Sequence, residues 1–311
     1  MPRGQGHGVG LHSRRNEQRS DLARGILLLL ALAPAFSLGA AVDDFGRTVT
    51  PSHSPPRIVS LAPGATEMLF AAGAGGLVIA TSEYSNEPEA ARKVPRIGDS
   101  NAVDVERLVV LRPDVVVVWP GGNNTAQIGK IESLKIPVYR HRIDSLDSLP
   151  ASLRRLGALA ATQSVADANA ARIEKHLRDL RAKYSSRKPV RVLLQVWNRP
   201  IYTVGGTHIM SDVLKLCGAQ NVFGELKDLG PAVELEAVIA RNPEMIVAAA
   251  PRVSSAEWVA DWKKFGTLRA VKANNVIVFE DQRLSRLGPS VVDAGEALCK
   301  EIDAARARLN P

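Results

Sequence analysis

Two segments of the chain, 130 residues apart, repeat one pattern. In residues 105–117 and again in residues 235–247, a glutamate precedes a proline by seven positions, an acidic residue follows the proline, and an apolar run comes next. This order predicts a short amphipathic helix that ends near the proline, followed by a buried strand. The duplication predicts two similar α/β lobes. We expect a cleft between them, where small ligands commonly bind.

Residues 1–40 are typical of a signal peptide. A polar, basic stretch leads into an apolar run over residues 25–36, and small residues follow around Ala40. The run is shorter than the ~20 apolar residues that span a bilayer, and Pro34 interrupts it. We therefore predict export to the periplasm with cleavage near Ala40, the alternative being an uncleaved membrane anchor.

The chain has two cysteines, Cys217 and Cys299. An oxidising compartment lets such a pair form a disulfide. Two buried free thiols are the alternative reading of the same residues.

Composition and motifs exclude several classes of protein. The formal net charge of +8 over 311 residues is mild, without the basic runs typical of nucleic-acid binding. The chain has no G-x-S-x-G, HExxH or P-loop motif, and no glycine-rich dinucleotide fingerprint after a strand. No pair of histidines has the spacing of metal ligands, although His208, after a glycine turn, is a candidate cleft residue or a ligand to a metal-bearing guest. We predict no enzyme, no resident cofactor and no metal site, with a secreted hydrolase as the alternative of another class.

The mature chain alternates short apolar strands with helices, except in one long stretch where apolar residues recur at helical spacing. We expect an α/β fold of two similar lobes joined by a single long helix, which could break or bend at Gly157 or at residues 162–164. The predicted organisation is a flexible leader at 41–56, an N-terminal lobe at 57–144, a connecting helix at 145–187 and a C-terminal lobe at 188–311.

Three motifs resemble the periplasmic substrate-binding proteins of ABC importers. They are residues 57–67, the segment from Arg107 to Asp114, and Trp119-Pro120-Gly121-Gly122-Asn123. The resemblance is to the helical-backbone subgroup that captures cobalamin, haem and ferric siderophores, and it covers nearly all of residues 57–305. Residues 216–219, 221–223 and 297–299 are most similar to the cobalamin-binding members.

The resemblance implies a monomer that captures cobalamin or a related corrinoid and delivers it to the permease and ATPase subunits of a transporter. A receptor for haem or a ferric siderophore is the alternative. In the cobalamin-binding relatives the two matching cysteines are paired, which supports a disulfide between Cys217 and Cys299.

The resemblance also implies residues of the ligand site. Tyr84, Trp119 and Tyr202 stand where the family has aromatic cleft residues. Asp281 matches an acid near the ligand, and Arg283 and Arg286 are candidates for the arginine that follows it. The chain departs from the pattern where the relatives have aromatic residues, at Ser100, Gly230 and Glu87.

Trp197 and Glu236 each allow two interpretations, one functional and one structural. Trp197 follows an apolar strand and precedes a turn, so it could reach the cleft or pack against the lobe. Glu236 matches a glutamate that docks on the transporter, but an acid in the first turn of a helix is also favoured by the helix dipole. The matching position in the other lobe is Thr125, which leaves Glu106 or Glu132 as substitutes.

Overall fold

The structure, a computed structural model, describes residues 6–8, 40–100, 102–249 and 252–309, and gives only the backbone for residues 252–255. The predicted signal peptide lies almost entirely outside these residues. Every element below belongs to one compact unit, Leu38–Pro311. Within the described ranges, no helix combines the length and hydrophobicity needed to cross a bilayer.

The unit begins with a hairpin, in which β1 (Ala41–Val42) pairs antiparallel with β2 (Thr48–Val49). In the turn, Asp43 accepts hydrogen bonds from the backbone N–H groups of Phe45 and Arg47, both at 2.9 Å. Asp43 is buried, and so are Ala41 and Val49. This corrects the predicted flexible leader for residues 41–49, because local apolar contacts and an aspartate-centred turn fix the hairpin.

The N-terminal lobe is a four-stranded parallel sheet, in the order β4–β3–β5–β6. Its strands are short apolar runs with helices between them, as expected for parallel sheets buried on both faces. The elements are β3 (Ile58–Ser60), α1 (Pro63–Ala71), β4 (Val78–Thr81), α2 (Val105–Leu111), β5 (Val115–Val118), α3 (Thr125–Ser133) and β6 (Val138–Arg140).

The connecting segment consists of two helices, α4 (Ser148–Ala160) and α5 (Gln163–Tyr184), where one was predicted. The first ends at Ala161, whose backbone is left-handed with φ 57°. A Cβ at Gly157 would lie 2.3 Å from Cβ of Ala166, so this glycine allows the two helices to touch. The 22-residue α5 is the long helix that leads into the second lobe.

The C-terminal lobe has a six-stranded mixed sheet, in the order β10–β8–β7–β11–β12, with β9 also paired to β7. Strands β8 and β10 are antiparallel to their neighbours and the others are parallel. The elements are β7 (Val190–Trp197), β8 (Ile201–Thr203), α6 (Ile209–Leu216), β9 (Ala219–Asn221), β10 (Ala232–Val233), α7 (Leu235–Arg241), β11 (Met245–Ala248), α8 (Arg252–Lys263), α9 (Arg269–Lys272), β12 (Val276–Val278) and α10 (Val291–Leu309).

The duplicated pattern forms α2 with β5 in one lobe and α7 with β11 in the other. Each helix has seven residues and is followed by a residue with left-handed backbone, Arg112 (φ 44°) or Asn242 (φ 45°). A proline comes next, and then a strand whose residues are all buried. Both strands lie inside their sheets. The prediction of two similar α/β lobes is confirmed.

A disulfide joins the end of α6 to α10. The sulfur atoms of Cys217 and Cys299 are 2.00 Å apart, and both residues are fully buried. The predicted pairing is confirmed, and it closes a loop of 82 residues.

Candidate functional site

A cavity of about 440 Å³ lies between the two lobes. Every strand of the N-terminal sheet contributes a residue that follows its carboxyl end: Ala62 after β3, Tyr84 after β4, Trp119 after β5 and His141 after β6. The opposite wall follows the carboxyl ends of β11 and β12, through Ala249, residues 279–282 and residues 284–287. Open α/β sheets bind ligands at this edge of their strands. The topology therefore selects this cavity as the functional site.

The two lobes touch along one side of the cavity, at the start of α1. A Cβ at Gly64 would lie 2.1 Å from the backbone oxygen of Arg286, so only glycine permits this approach. One turn further on, the carboxylate of Glu67 accepts hydrogen bonds from Ser290 N–H at 2.6 Å and Ser290 Oγ at 2.9 Å. Burial raises the pKa of Glu67, although the bonds from Ser290 act in the opposite direction. This contact holds the lobes together at the back of the cavity.

Trp119 forms an aromatic part of the wall, and the glycine turn after it makes room for the indole. A Cβ at Gly121 would lie 2.8 Å from the indole nitrogen, and one at Gly122 would lie 2.1 Å from a ring carbon. Asn123 holds the turn, because its side chain accepts from Trp119 N–H at 2.7 Å and donates to the carbonyl of Leu61 at 2.8 Å. The glycine turn and the hydrogen bonds of Asn123 thus hold the indole of Trp119 in place at the carboxyl end of β5.

The cavity brings together four of the predicted ligand residues: Tyr84, Trp119, Asp281 and Arg286. Tyr84 is 75 % exposed and stands at the mouth. Hydrogen bonds from Arg283, at 2.9 Å and 2.6 Å from its guanidinium, hold the pKa of Asp281 below its ordinary value. Arg283 is thus tied to Asp281 and is not itself part of the wall. Arg286 faces the cavity and forms no ion pair within the described part of the chain.

Trp197 and Tyr202 are not among the residues that line this cavity. Trp197 is 58 % exposed and meets the ring of Trp258 edge-on, with the centroids 6.3 Å apart. Tyr202 lies on β8 and pairs with Ala232. Strand β8 lies towards the edge of the sheet away from β11 and β12, which carry the cavity wall. Trp197 ends β7, beside β11, and its ring packs against Trp258. A ligand role for these two side chains stays a prediction.

His141 is a site residue that the sequence analysis missed. It is only 2 % exposed, follows β6 and lines the cavity. Its Nδ1 lies 2.9 Å from Asp44 of the N-terminal hairpin. Its Nε2 is buried and has no hydrogen-bond partner among the described residues. No local sequence signal indicates this pairing, since the two residues are 97 positions apart.

Asp44 is the centre of a buried polar cluster behind the cavity wall. Besides His141, its carboxylate accepts from Arg155 Nε at 2.8 Å, Ser152 Oγ at 2.8 Å and Arg142 N–H at 2.9 Å. Burial alone would raise the pKa of Asp44, but the bonds from His141, Arg142 and Ser152 outweigh it and lower the pKa to about 2. Asp44 is therefore an ionised acceptor.

His208 lines a smaller pocket of about 100 Å³ that shares Trp119 with the main cavity. It caps α6, because its Nδ1 accepts from Met210 N–H at 3.1 Å. Burial lowers the pKa of His208 to about 4. This histidine is therefore neutral at ordinary pH and carries its proton on Nε2.

The residues considered for transporter docking differ in their exposure and in their ion pairs. Glu236 is the second residue of α7, is exposed, and forms no ion pair in the described ranges. Glu106 has the equivalent exposed place on α2. Glu132 is instead paired with Arg140 at 2.7 Å, and Thr125 is the first residue of α3. The docking role of Glu236 stays a prediction. No group of three or more histidine, cysteine, aspartate or glutamate side chains able to hold a metal ion occurs among the residues described.

Comparisons with known proteins agree with this architecture. A family model described as periplasmic binding protein matches residues 58–282. The vitamin B12-binding protein of Vibrio cholerae is 31% identical over 250 residues, which cover 80% of this chain and 90% of the relative. The crystal structure of the periplasmic vitamin B12 binding protein of Vibrio cholerae superposes with a TM-score of 0.74 at 30% identity, covering 81% of this chain and 98% of that one. A periplasmic heme-binding protein from Roseiflexus shares the fold. It superposes with a TM-score of 0.69 at 21% identity, covering 80% of this chain and 98% of that one.

Proposed function

The chain belongs to the periplasmic binding protein family, and from this premise we propose that it captures a corrinoid between its lobes and delivers it to an ABC importer. The observation that carries this proposal is the composition of the cavity wall. Trp119 and Tyr84 come from one lobe, and Asp281 and Arg286 come from the other. A corrin is a broad, partly apolar disc with polar arms, so it can lie against the aromatic side while its arms meet the charged side. The similarity to vitamin B12-binding relatives supports the same ligand class.

Capture requires little movement of the lobes in this proposal. The contacts of Gly64 with Arg286 and of Glu67 with Ser290 join the lobes on one side. Binding in a largely formed cavity avoids part of the ordering cost of association. We expect ligand-free and ligand-bound forms to differ mainly in the side chains of the wall.

The proposed site of action is the periplasm, reached after cleavage of the signal peptide near Ala40. The disulfide between Cys217 and Cys299 fits an oxidising compartment. A monomer would then meet the permease and ATPase subunits of the importer, with Glu236 as the proposed contact on the C-terminal lobe. The cavity binds its cargo and does not transform it.

The proposal is tested by isothermal titration of the purified mature protein with cyanocobalamin, dicyanocobinamide, haemin and a ferric siderophore. We expect saturable binding of the corrinoids and recovery of the ligand unchanged. Binding of haemin or the siderophore without any corrinoid signal would assign the cavity to the alternative ligand class.

A matched pair of tryptophan variants tests the location. Trp119→Ala removes a ring from the wall and should weaken corrinoid binding by about 1–3 kcal/mol, or roughly 5- to 150-fold in Kd. Trp197→Ala tests the ligand role predicted for Trp197 from the sequence. Because the structure places this indole outside the cavity, we expect the affinity to stay within about twofold of the unsubstituted protein. Equal losses in both variants would contradict the assignment of the cavity.

A further inference from the structure

His141 combines three features in one side chain. It lines the cavity, its Nδ1 is fixed by a carboxylate, and its Nε2 is buried without a partner in the described part of the chain. The other histidines that the structure describes do not share this combination. His176, on α5, pairs with Glu296 of α10 at 3.1 Å, and His208 uses its Nδ1 to cap α6.

The contacts of Asp44 decide which nitrogen of His141 carries the proton. Arg142 N–H, Ser152 Oγ and Arg155 Nε all donate to this carboxylate. Asp44 is therefore an acceptor, and Nδ1 of His141 must be the donor across the 2.9 Å contact. In the neutral ring the lone pair is then on Nε2. A buried acceptor without a partner costs free energy unless a ligand satisfies it.

Asp44 also fixes the ring. Metal-binding histidines commonly donate their second nitrogen to a carboxylate, which sets the tautomer, orients the ring and raises its basicity. The contact of His141 with Asp44 is of this kind. His141 lines the cavity proposed to hold a corrinoid, and a corrinoid contains a cobalt ion. The arrangement behind the wall is thus suited to present a nitrogen lone pair to a metal.

We propose that Nε2 of His141 takes an axial position on the cobalt of the captured corrinoid; this rests on the proposed function. The step is a ligand exchange. One water leaves the cobalt, the Nε2 lone pair forms the nitrogen–cobalt bond, and the oxidation state stays the same. The proton on Nδ1 remains between His141 and Asp44. Because Nε2 is buried, the side chains around it have to yield as the corrinoid enters.

Two forms of one corrinoid test the proposal. Diaquocobinamide has exchangeable water on both faces of the cobalt, whereas dicyanocobinamide in excess cyanide has both positions held. Absorbance titration with the first should show the visible bands move to those of an imidazole-bound corrinoid, while the second should bind with its spectrum unchanged. Calorimetry with both forms measures binding independently of the bands.

His141→Ala should abolish the band shift and raise the Kd for diaquocobinamide on the order of 10- to 100-fold. The Kd for dicyanocobinamide should rise much less than the Kd for diaquocobinamide, so the variant should lose the difference between the two forms. Circular dichroism and thermal unfolding show whether the variant is folded. His176→Ala, which changes a half-buried histidine that does not line the cavity, should bind both forms as the unsubstituted protein does.

The outcomes separate the two proposals. Calorimetric binding of both forms without a band shift, or an undiminished shift in His141→Ala, would overturn axial ligation and leave corrinoid capture in place. An equal affinity loss for both forms in His141→Ala would overturn axial ligation and reassign the histidine to hydrogen bonding with the corrin periphery. Absence of binding by either form would overturn corrinoid capture and the ligation that depends on it.

Discussion

Gly122 offers the sharpest test of how the cavity wall is built. A Cβ at this position would lie 2.1 Å from a ring carbon of Trp119, against 3.4 Å or more in an ordinary contact. The turn has little freedom to relax, because Asn123 bonds both Trp119 N–H and the carbonyl of Leu61. Gly122→Ala must therefore push the indole out of its place. Overpacking of this kind costs about 1–3 kcal/mol.

That cost should appear mainly as lost affinity, with Kd for a corrinoid rising roughly 5- to 150-fold. Gly129→Ala is the matched control, because a Cβ there meets nothing within 4 Å and the residue lies inside α3. This control should raise stability by about 0.5–1 kcal/mol, since alanine is the better helix former. Calorimetry and thermal unfolding of both variants provide the comparison. Unchanged affinity in Gly122→Ala would refute the view that the glycine turn sets the position of Trp119.

Three further predictions follow from the same structure. Burial lowers the pKa of His208 to about 4 from its ordinary 6.5. Between these two pH values the folded protein therefore binds fewer protons than the unfolded chain. The free energy of unfolding should fall by up to about 3 kcal/mol as the pH drops from 6.5 to 4. His208→Asn, which keeps a capping side chain, should flatten that dependence in urea unfolding measured from pH 7 to 4; an identical pH profile would show that another group causes it. Reduction of the disulfide should lower the free energy of unfolding by about 4.5 kcal/mol, from the loop of 82 residues; alkylation of Cys217 and Cys299 without prior reduction, seen by intact mass, would show instead that the bond is absent. Glu236→Ala should leave corrinoid affinity unchanged but reduce uptake, and Glu236→Arg should reduce it further through like-charge repulsion; normal uptake by Glu236→Arg would remove this residue from the docking surface.

The sequence predicts those parts of the fold that local patterns determine. The helices α2 and α7 and the strands after them follow from periodicity and a proline, which act over a few residues. The break between α4 and α5 lies at the predicted point of interruption, residues 162–164. Its geometry is not predictable, because alanine is a good helix former and the left-handed φ of 57° at Ala161 depends on the packing of α4 against α5. Trp197 ends β7 as its sequence position predicts, but its ring packs against Trp258, a tertiary contact that sequence position does not reveal.

The polar part of the site is the least visible from sequence. Asp44 lies in a stretch whose polarity and prolines suggest a leader, yet it is buried beside His141, 97 residues later. No spacing rule connects two such residues. Their pairing depends on a hairpin that packs on the last strand of the parallel sheet, where the backbone N–H of Asp44 donates to the carbonyl of Arg140 at 3.2 Å. Tertiary contact alone brings them together.

The hairpin therefore does more than cover an edge of the lobe. By placing Asp44 beneath His141 it determines the tautomer of a side chain in the cavity wall, so a segment next to the predicted cleavage site is coupled to the chemistry of the site. On the opposite wall, Arg283 holds Asp281 in the same way, at 2.6 Å. On both walls, a charged side chain that does not line the cavity holds a lining side chain in place: Asp44 holds His141, and Arg283 holds Asp281. The cavity is thus organised before any ligand arrives, which is the arrangement that binding without large lobe movement requires.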